Sequence, residues 1–319
     1  NWNGARGFTA TSGPGISLMS EFLGLAYFAE VPLVIFNIQR GGPSTGMPTR
    51  TQQSDILSCA YASHGDTKHV LLFPEDPQEC FEFSAEAFNL AERLQTPVFV
   101  ISDLDIGMND WVTDKFEWDD EQKYDRGKVL KAEDLDKMDN FGRYLDVDDD
   151  GICYRTYPGT HPEKGAFFTR GTSHDEYARY TENGDINEQT LTRLVKKFRT
   201  ASELVPDPII NLSEKQGSSG VIFYGSTSAA MYEAKDILNE NNIEVDLMRI
   251  RSFPFNLDVW EFIENHDLIY VIEQNRDSQM RTLIMAEGGI SAEKLRSLVW
   301  FNGDPIQAKF IACLLYTSP

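Results

Sequence analysis

Arg6–Ile38 reads RGFTATSGPGISLMSEFLGLAYFAEVPLVIFNI, and its hydrophobic pattern changes character twice. Arg6–Thr11 has the composition of a short strand. Ser17–Ala29 spaces its apolar residues as one face of a helix does. Pro32–Ile38 (PLVIFNI) is an unbroken β-branched and aromatic run, the pattern of a strand buried on both faces. A strand, a glycine turn into a helix and a second buried strand make a unit that places the two strands parallel, with the helix across them. The fold class is therefore α/β.

The same alternation continues outward. Val70–Phe73 and Pro97–Ser102 read as strands around a helix at Pro77–Arg93. From Gly220 the strands Gly220–Tyr224, Glu244–Ile250 and Leu268–Glu273 alternate with helices at Thr227–Asn241, Leu257–Glu264 and Ser278–Glu287. Two open parallel-sheet domains are expected, at 1–105 and 209–312. Between them, 106–208 reads as a long acidic excursion with short helical patterns at Ala132–Met138 and Thr190–Phe198, closed by Pro206 and Pro208. The stretch 105–150 alone holds 16 acidic and 7 basic residues. The chain opens on Asn1 rather than Met, and 313–319 (CLLYTSP) follows no stop signal and resembles translated adapter sequence. A fragment with a non-native tail at 313–319 is the expectation.

Over its 319 residues, 29 Lys and Arg face 50 Asp and Glu, for a net charge of −21. Phosphate backbones and anionic bilayers are bound by clustered Lys and Arg, so this balance argues against nucleic acid and membrane surfaces as partners. No apolar run reaches the length of a membrane span and no signal-peptide pattern opens the chain, which points to the cytoplasm. Cys59, Cys80, Cys153 and Cys313 lie too far apart in sequence for a zinc ribbon or a single-chain iron–sulfur site. Buried or idle thiols are the expectation.

Chemistry concentrates in two segments. In Ala10-Thr-Ser-Gly-Pro-Gly15, glycine permits a tight turn and close approach of a ligand. Taken alone, such a turn is either a ligand cradle or a plain strand-to-helix connection. The second segment is the loop Gln39-Arg-Gly-Gly-Pro-Ser-Thr-Gly-Met-Pro-Thr-Arg-Thr-Gln-Gln-Ser-Asp55. Arg40 stands where a strand ends, the usual place for ligand contacts in an open α/β sheet, and a guanidinium offers paired donors to a carboxylate.

TATSGPG, the helix after it and VPLVIFNIQR together resemble the pyrimidine-binding domain of thiamine-diphosphate enzymes. The Gln39–Asp55 loop resembles one branch more specifically, the alpha subunits of 2-oxoacid:ferredoxin oxidoreductases of the 2-oxoglutarate type. His64-Gly-Asp66, YRTYPGTHP, TRGTSHDE, Glu273-Gln-Asn275 and Gln279-Met280 fit the same family, to about Ala312. The second domain resembles the carboxy-terminal domain of transketolase.

The resemblance implies a reaction. The thiamine carbanion attacks the keto carbon of a 2-oxoacid, carbon dioxide leaves, electrons pass singly to an iron–sulfur cluster, and coenzyme A takes the acyl group. It implies substrate contacts from Arg40 and Thr49, with Arg50 as either a second cation for a dicarboxylate or a solvated surface residue. It assigns the thiamine side of the site to Thr11, Ser12, Gly13, Pro14 and Gly15. No G-D-G motif with a downstream Asn and no cluster cysteines occur, so Mg2+, the diphosphate grip and the [4Fe-4S] cluster are expected on a beta subunit. The Glu that activates the aminopyrimidine is expected upstream of Asn1. Ferredoxin is the implied acceptor, docking on another subunit because ferredoxins are themselves commonly acidic. A pyruvate or branched-chain enzyme, and a non-catalytic assembly subunit with the same fold, are the alternatives.

Four weaker signals remain. Asp146-x-Asp148-x-Asp150-Gly151 opens like an EF-hand loop but has Tyr157 where the twelfth-position Glu belongs, which favours a solvated acidic turn. His174-Asp-Glu176 reads as a hydrogen-bonded loop before a metal site. His64 with Asp66 reads as polar helix-end packing before an acid–base pair. Gly225-Ser-Thr-Ser228 is given a structural role.

Overall fold

The computed structural model describes residues 1–213 and 219–317; residues 214–218 of the expected second domain and the last two of the expected tail lie outside them. The amino-terminal elements are β1 (Phe8–Thr11), α1 (Gly13–Leu18), α2 (Ser20–Phe28), β2 (Leu33–Gln39), α3 (Ile56–Ala60), β3 (Val70–Leu72), α4 (Pro77–Leu94) and β4 (Pro97–Asp103). The helix expected over Ser17–Ala29 is thus two helices. Proline in the first turn of α1 lets it start four residues early. Asp76 caps α4 by accepting from the Glu79 N–H at 2.7 Å, and Gln95 ends it in a left-handed conformation.

The central segment holds α5 (Leu104–Met108), α6 (Ala132–Asp136) and α7 (Gly184–Ala201). The carboxy-terminal elements are β5 (Ile209–Asn211), β6 (Ser219–Tyr224), α8 (Thr227–Glu240), β7 (Asp246–Ile250), β8 (Ser252–Phe253), α9 (Leu257–Glu264), β9 (Leu268–Glu273), α10 (Gln279–Gly288), β10 (Leu295–Val299) and α11 (Ala308–Thr317).

Two five-stranded sheets result, ordered β1-β2-β4-β3-β8 and β10-β9-β6-β7-β5. All pairings are parallel except β3 with β8 and β5 with β7, so each sheet carries one short antiparallel edge strand. β5, β8 and β10 have no counterpart in the sequence reading. The first two are three and two residues long, too short for a period to register. β8 also crosses between units: it follows β7 of the second sheet in sequence yet pairs Phe253 with Leu71 of the first.

Successive strand residues point to opposite faces, and the core divides accordingly. In β2 and β4, Val34, Val98 and Val100 pack under α4, whereas Ile35, Phe99 and Ile101 join, on the other face, the cluster that runs through α1, α2 and α3 into the second unit. In β6, Val221 and Phe223 lie under α8 and α11, whereas Ile222 and Tyr224 face the first unit. One apolar cluster therefore spans both units, with the Phe73 and Tyr224 rings 5.4 Å apart. Burying each such side chain contributes about 1.5–3 kcal/mol.

The acidic central segment is held down on the first unit. Glu30, wholly buried after α2, takes Arg193 at 2.5 Å and Lys197 at 2.8 Å from α7. Burial alone would raise the Glu30 carboxyl, but the two cations hold it well below the usual carboxylate range. Asp146, Asp148, Asp149 and Asp150 are taken up by lysines: Lys128 lies 2.7 Å from Asp148 and 2.8 Å from Asp150, and Lys196 pairs with Asp146 and Asp149. The ammonium groups stand where a calcium loop would need its cation. At the carboxy-terminal end, α11 continues through Cys313 to Thr317 and buries Ile311, Ala312 and Leu315 against the second sheet.

Candidate functional site

Three parallel strands deliver the site from their carboxyl ends, where open α/β sheets bind ligands. β1 ends at Thr11 and runs into the glycine turn. β2 ends at Gln39, one residue before Arg40. β9, in the second sheet, ends at Glu273 before Gln274-Asn275-Arg276. Between these ends lies a cavity of about 620 Å³ whose walls include Gly13, Pro14, Arg40 and Asp55 from the first unit and Asn275 and Arg276 from the second.

The turn requires its glycines for space rather than for backbone torsion. A Cβ on Gly15 would stand 1.9 Å from Thr11 Oγ1, and one on Gly13 would stand 2.9 Å from Asp55 Oδ1. In the loop after Arg40, Gly46 has φ +47°, and a Cβ there would lie 2.1 Å from the Gly41 carbonyl oxygen. That loop closes on itself: Met47 N donates to Gly41 O at 2.7 Å and Gly41 N to Arg50 O at 2.8 Å.

Its far end is pinned to the second unit by Gln53, a buried side chain. Gln53 N donates to Gln274 O at 2.8 Å, Asn275 Nδ2 donates to Gln53 O at 2.9 Å, and Thr227 Oγ1 and Gln274 N donate to Gln53 Oε1. Gln279 adds a contact from α10, donating to Ser54 O at 2.7 Å. Ser226 ties the Gly225–Ser228 turn to Asp103 at 2.6 Å, the structural role expected of it. Glu273 beneath is fully buried, and burial raises its carboxyl despite donors from Met280 N and Asn275 Nδ2.

Of the residues singled out in the sequence, the structure brings Gly13, Pro14 and Arg40 to one cavity. Thr11, Ser12 and Gly15 form the turn behind it. Arg40 Nε is a buried donor with no hydrogen-bond partner within the chain. Thr49 is exposed on the loop and outside the cavity walls; Arg50, also outside, lies 3.7 Å from Asp304. Asp55 and Arg276 were missed. Asp55 followed a long loop with no motif of its own, and Arg276 reaches the site only because two units fold together.

His64 is exposed, 3.7 Å from Glu21, and does not reach this cavity. His174 is buried, its ring 3.9 Å from that of Tyr144, with Nδ1 at 3.2 Å from Thr172 O. Among the described residues no group of three or more His, Cys, Asp or Glu side chains is placed to hold a metal ion. No helix among them is long and apolar enough to cross a membrane.

Residues 1–200 match the family described as pyruvate flavodoxin/ferredoxin oxidoreductase, thiamine-diphosphate-binding. The chain belongs to this family. It is 33% identical over 315 residues to 2-oxoacid:ferredoxin oxidoreductase 2, subunit alpha, of Aeropyrum pernix, covering 97% of this chain and 47% of that one. It is 35% identical over 271 residues to the 2-oxoglutarate synthase subunit KorA of Methanocaldococcus jannaschii, covering 81% of this chain and 67% of that one. The structure of 2-oxoglutarate:ferredoxin oxidoreductase from Magnetococcus marinus superposes with a TM-score of 0.87 at 27% identity, covering 99% of this chain and 53% of that one. The chain thus spans about half the length of the Aeropyrum relative.

The residues present fit one wall of a thiamine-diphosphate site. The turn leaves no side chain between its backbone and the cavity at Gly13, and Arg40 keeps an unpaired donor for an anionic group beside it.

Proposed function

We propose that this chain supplies the thiamine and 2-oxoacid wall of a 2-oxoacid:ferredoxin oxidoreductase, as its alpha subunit, with 2-oxoglutarate as the substrate. The observation that carries the reading is the buried, unpartnered Nε of Arg40 at the carboxyl end of β2, in the cavity that the glycine turn also lines. Thiamine diphosphate, when bound, supplies the carbon nucleophile on which a 2-oxoacid is decarboxylated.

The chain's own residues bind and orient. Arg40 receives the 2-carboxylate through N–H donors fixed before the substrate arrives, which is preorganised electrostatics rather than proton transfer. Gly13 brings backbone to the cavity wall, and Gly15 behind it lets the turn close against Thr11, where a Cβ would collide with the hydroxyl. Arg276 presents a second guanidinium to the same cavity from the second unit, which suits a dicarboxylate, whereas Arg50 turns to Asp304. The names of the KorA relative and of the Magnetococcus structure support 2-oxoglutarate over pyruvate. Mg2+, the diphosphate contacts and the [4Fe-4S] cluster fall to a beta subunit, which passes electrons to ferredoxin; coenzyme A accepts the acyl group.

The test is Arg40→Ala in the complex purified with its native partner, assayed for 2-oxoacid-dependent viologen reduction. Loss of turnover by roughly 100- to 1,000-fold with unchanged subunit assembly is expected. Near-normal turnover overturns the reading, and a loaded complex inactive on every 2-oxoacid favours a non-catalytic assembly role.

A further inference from the structure

The chain from Thr51 to Asp55 forms neither helix nor strand, yet hydrogen bonds leave it on two sides. One side holds the strand end that carries Arg40. Asp55 N donates to Gln39 Oε1 at 2.9 Å, and Gly42 N donates to Gln52 Oε1 at 3.2 Å. The other side holds the second unit. Thr51 N donates to Gly303 O at 3.1 Å, and Gln53 N donates to Gln274 O at 2.8 Å, two residues before Arg276. Asn275 Nδ2 returns a bond to Gln53 O at 2.9 Å. This short strut thus joins the two segments whose arginines line the cavity.

The Gln53 side chain, 1% exposed, anchors the strut where three strands end. Its Oε1 accepts from Gln274 N at 3.2 Å, after β9, and from Thr227 Oγ1 at 3.3 Å, after β6. Its Nε2 donates to Asp103 Oδ2 at 3.4 Å, at the end of β4, and to Tyr224 O at 3.3 Å, at the end of β6. Gly225 leaves room for it, turning at φ +58° where a Cβ would stand 3.0 Å from Gln53 Nε2. Both ends of the amide are used, and they reach both sheets. An apolar side chain here would strand the buried Gln274 N–H without its acceptor.

We infer that Gln53 is a positioning residue that sets the span between Arg40 and Arg276, and through it the length of 2-oxo dicarboxylate the cavity accepts. The inference rests on the function proposed above, with Arg40 on the 2-carboxylate and Arg276 on the distal one. Gln53 is not itself a wall of the cavity. It acts by holding the strut in register with both arginine-bearing segments. A matched substrate length is favoured only while the far donor is held in place, because a segment free to shift meets a longer chain equally well. A monocarboxylic 2-oxoacid uses Arg40 alone and is insensitive to the span.

The contacts also provide a rescue. In the double variant Gln53→Glu with Asp103→Asn, amide and carboxylate trade places, and net charge and shape are conserved. The new carboxylate still accepts from Gln274 N and Thr227 Oγ1. The new amide donates to it and keeps its oxygen for the Asp105 and Ile106 N–H groups. The Ser226 hydroxyl turns its hydrogen to suit, and only the bond to Tyr224 O is lost.

The experiment uses the complex with its native partner and has two readouts. One, which needs no turnover, is hydrogen–deuterium exchange at the Thr51, Gln53 and Gln274 amides. The other is kcat/KM with a viologen acceptor for pyruvate, 2-oxoglutarate and the 2-oxo dicarboxylate one carbon longer. Gln53→Met is expected to speed the exchange. It should also lower the preference for 2-oxoglutarate over the longer homologue by about tenfold, the scale of one methylene of fit, and leave pyruvate within about twofold. The exchanged pair is expected to recover most of both readouts. An unchanged preference overturns the inference, as does an equal loss on all three substrates or an exchanged pair as impaired as Gln53→Met. Should Gln53→Met not fold, Thr227→Val decides, since it removes one donor to Gln53 Oε1 with little change of shape. A fall in the same preference supports the inference, and an unchanged one overturns it. Arg40→Ala, run alongside, separates the two levels. If it retains turnover, the site itself is wrongly assigned; if it is inactive while Gln53→Met keeps its preference, only the role of Gln53 fails.

Discussion

Arg249 and Glu79 meet as a bidentate pair, Nη1 to Oε2 at 2.6 Å and Nη2 to Oε1 at 3.0 Å, with the Arg249 side chain 1% exposed. Arg249 lies on β7 of the second sheet and Glu79 in the first turn of α4, so the pair couples the two units whose junction forms the cavity. Arg251 reaches the same carboxylate at 2.8 Å, and Glu75 lies 3.3 Å from Arg249. Burial would raise the Glu79 carboxyl, but the Arg249 hydrogen bonds and charge hold it below its usual range.

Removing one partner of a buried ion pair leaves the other charge unpaired in a dry interior. Glu79→Ala is therefore expected to destabilise the chain by about 3–5 kcal/mol, read as a lowered denaturant midpoint. The combined Glu79→Leu and Arg249→Met is expected to recover much of that loss, because the fully buried guanidinium is no longer stranded, while Arg251 and Glu75, which lose a partner, are part-exposed to water. Equal destabilisation of the single and double variants would show that packing, not charge, is what the pair provides.

Glu30 sets the acid limit of the central segment. Its folded-state carboxyl is held below its ordinary value of 4.5, so the unfolded chain binds this proton more readily than the folded one. The stabilisation is fully present above pH 4.5 and is lost as pH falls toward the folded-state value. Unfolding free energies measured between pH 7 and pH 3 should fall at the acid end for the wild type. Glu30→Gln should be less stable at neutral pH and show a shallower fall, with Arg193 and Lys197 left unpaired in both limbs. Parallel pH curves for the two proteins contradict this.

The acidic turn yields a prediction about metal. Lys128 and Lys196 already neutralise Asp146, Asp148, Asp149 and Asp150, so millimolar calcium and excess chelator should give the same melting temperature. A calcium-dependent rise would mean that the lysines yield to the ion. Lys128→Ala is the sensitising variant, because it frees two carboxylates at once.

What the sequence made legible follows the range of each signal. The strands β2, β4, β6 and β9 were readable because each carries a continuous run of β-branched and aromatic residues that is largely buried. Gly13, Pro14 and Arg40 were readable because a turn and a strand end lie within a few residues of them. β8 was not, since two residues pair across units and carry no period. Gln53, Asp55 and Arg276 were not, since what makes them matter is separated by up to 222 residues, as in the contact of Gln53 with Asn275.

Substrate choice provides the last prediction, and two arginines separate its outcomes. Arg276 lines the cavity with Arg40 but is held by its neighbour, Nε to Asp277 Oδ1 at 2.7 Å and Nη2 to Oδ2 at 3.0 Å. A distal substrate carboxylate must compete with Asp277 for those donors, and solvent screens the contest. Arg276→Ala should then lower kcat/KM for 2-oxoglutarate relative to pyruvate by only about tenfold, the modest end for a charge-assisted contact at a wet rim. Asp277→Asn should act in the opposite direction, because it releases the guanidinium without removing it. Arg50→Ala should change neither ratio, since Arg50 faces Asp304 away from the cavity walls. If Arg50→Ala shifts the ratio and Arg276→Ala does not, the loop after β2, rather than the second unit, selects the substrate.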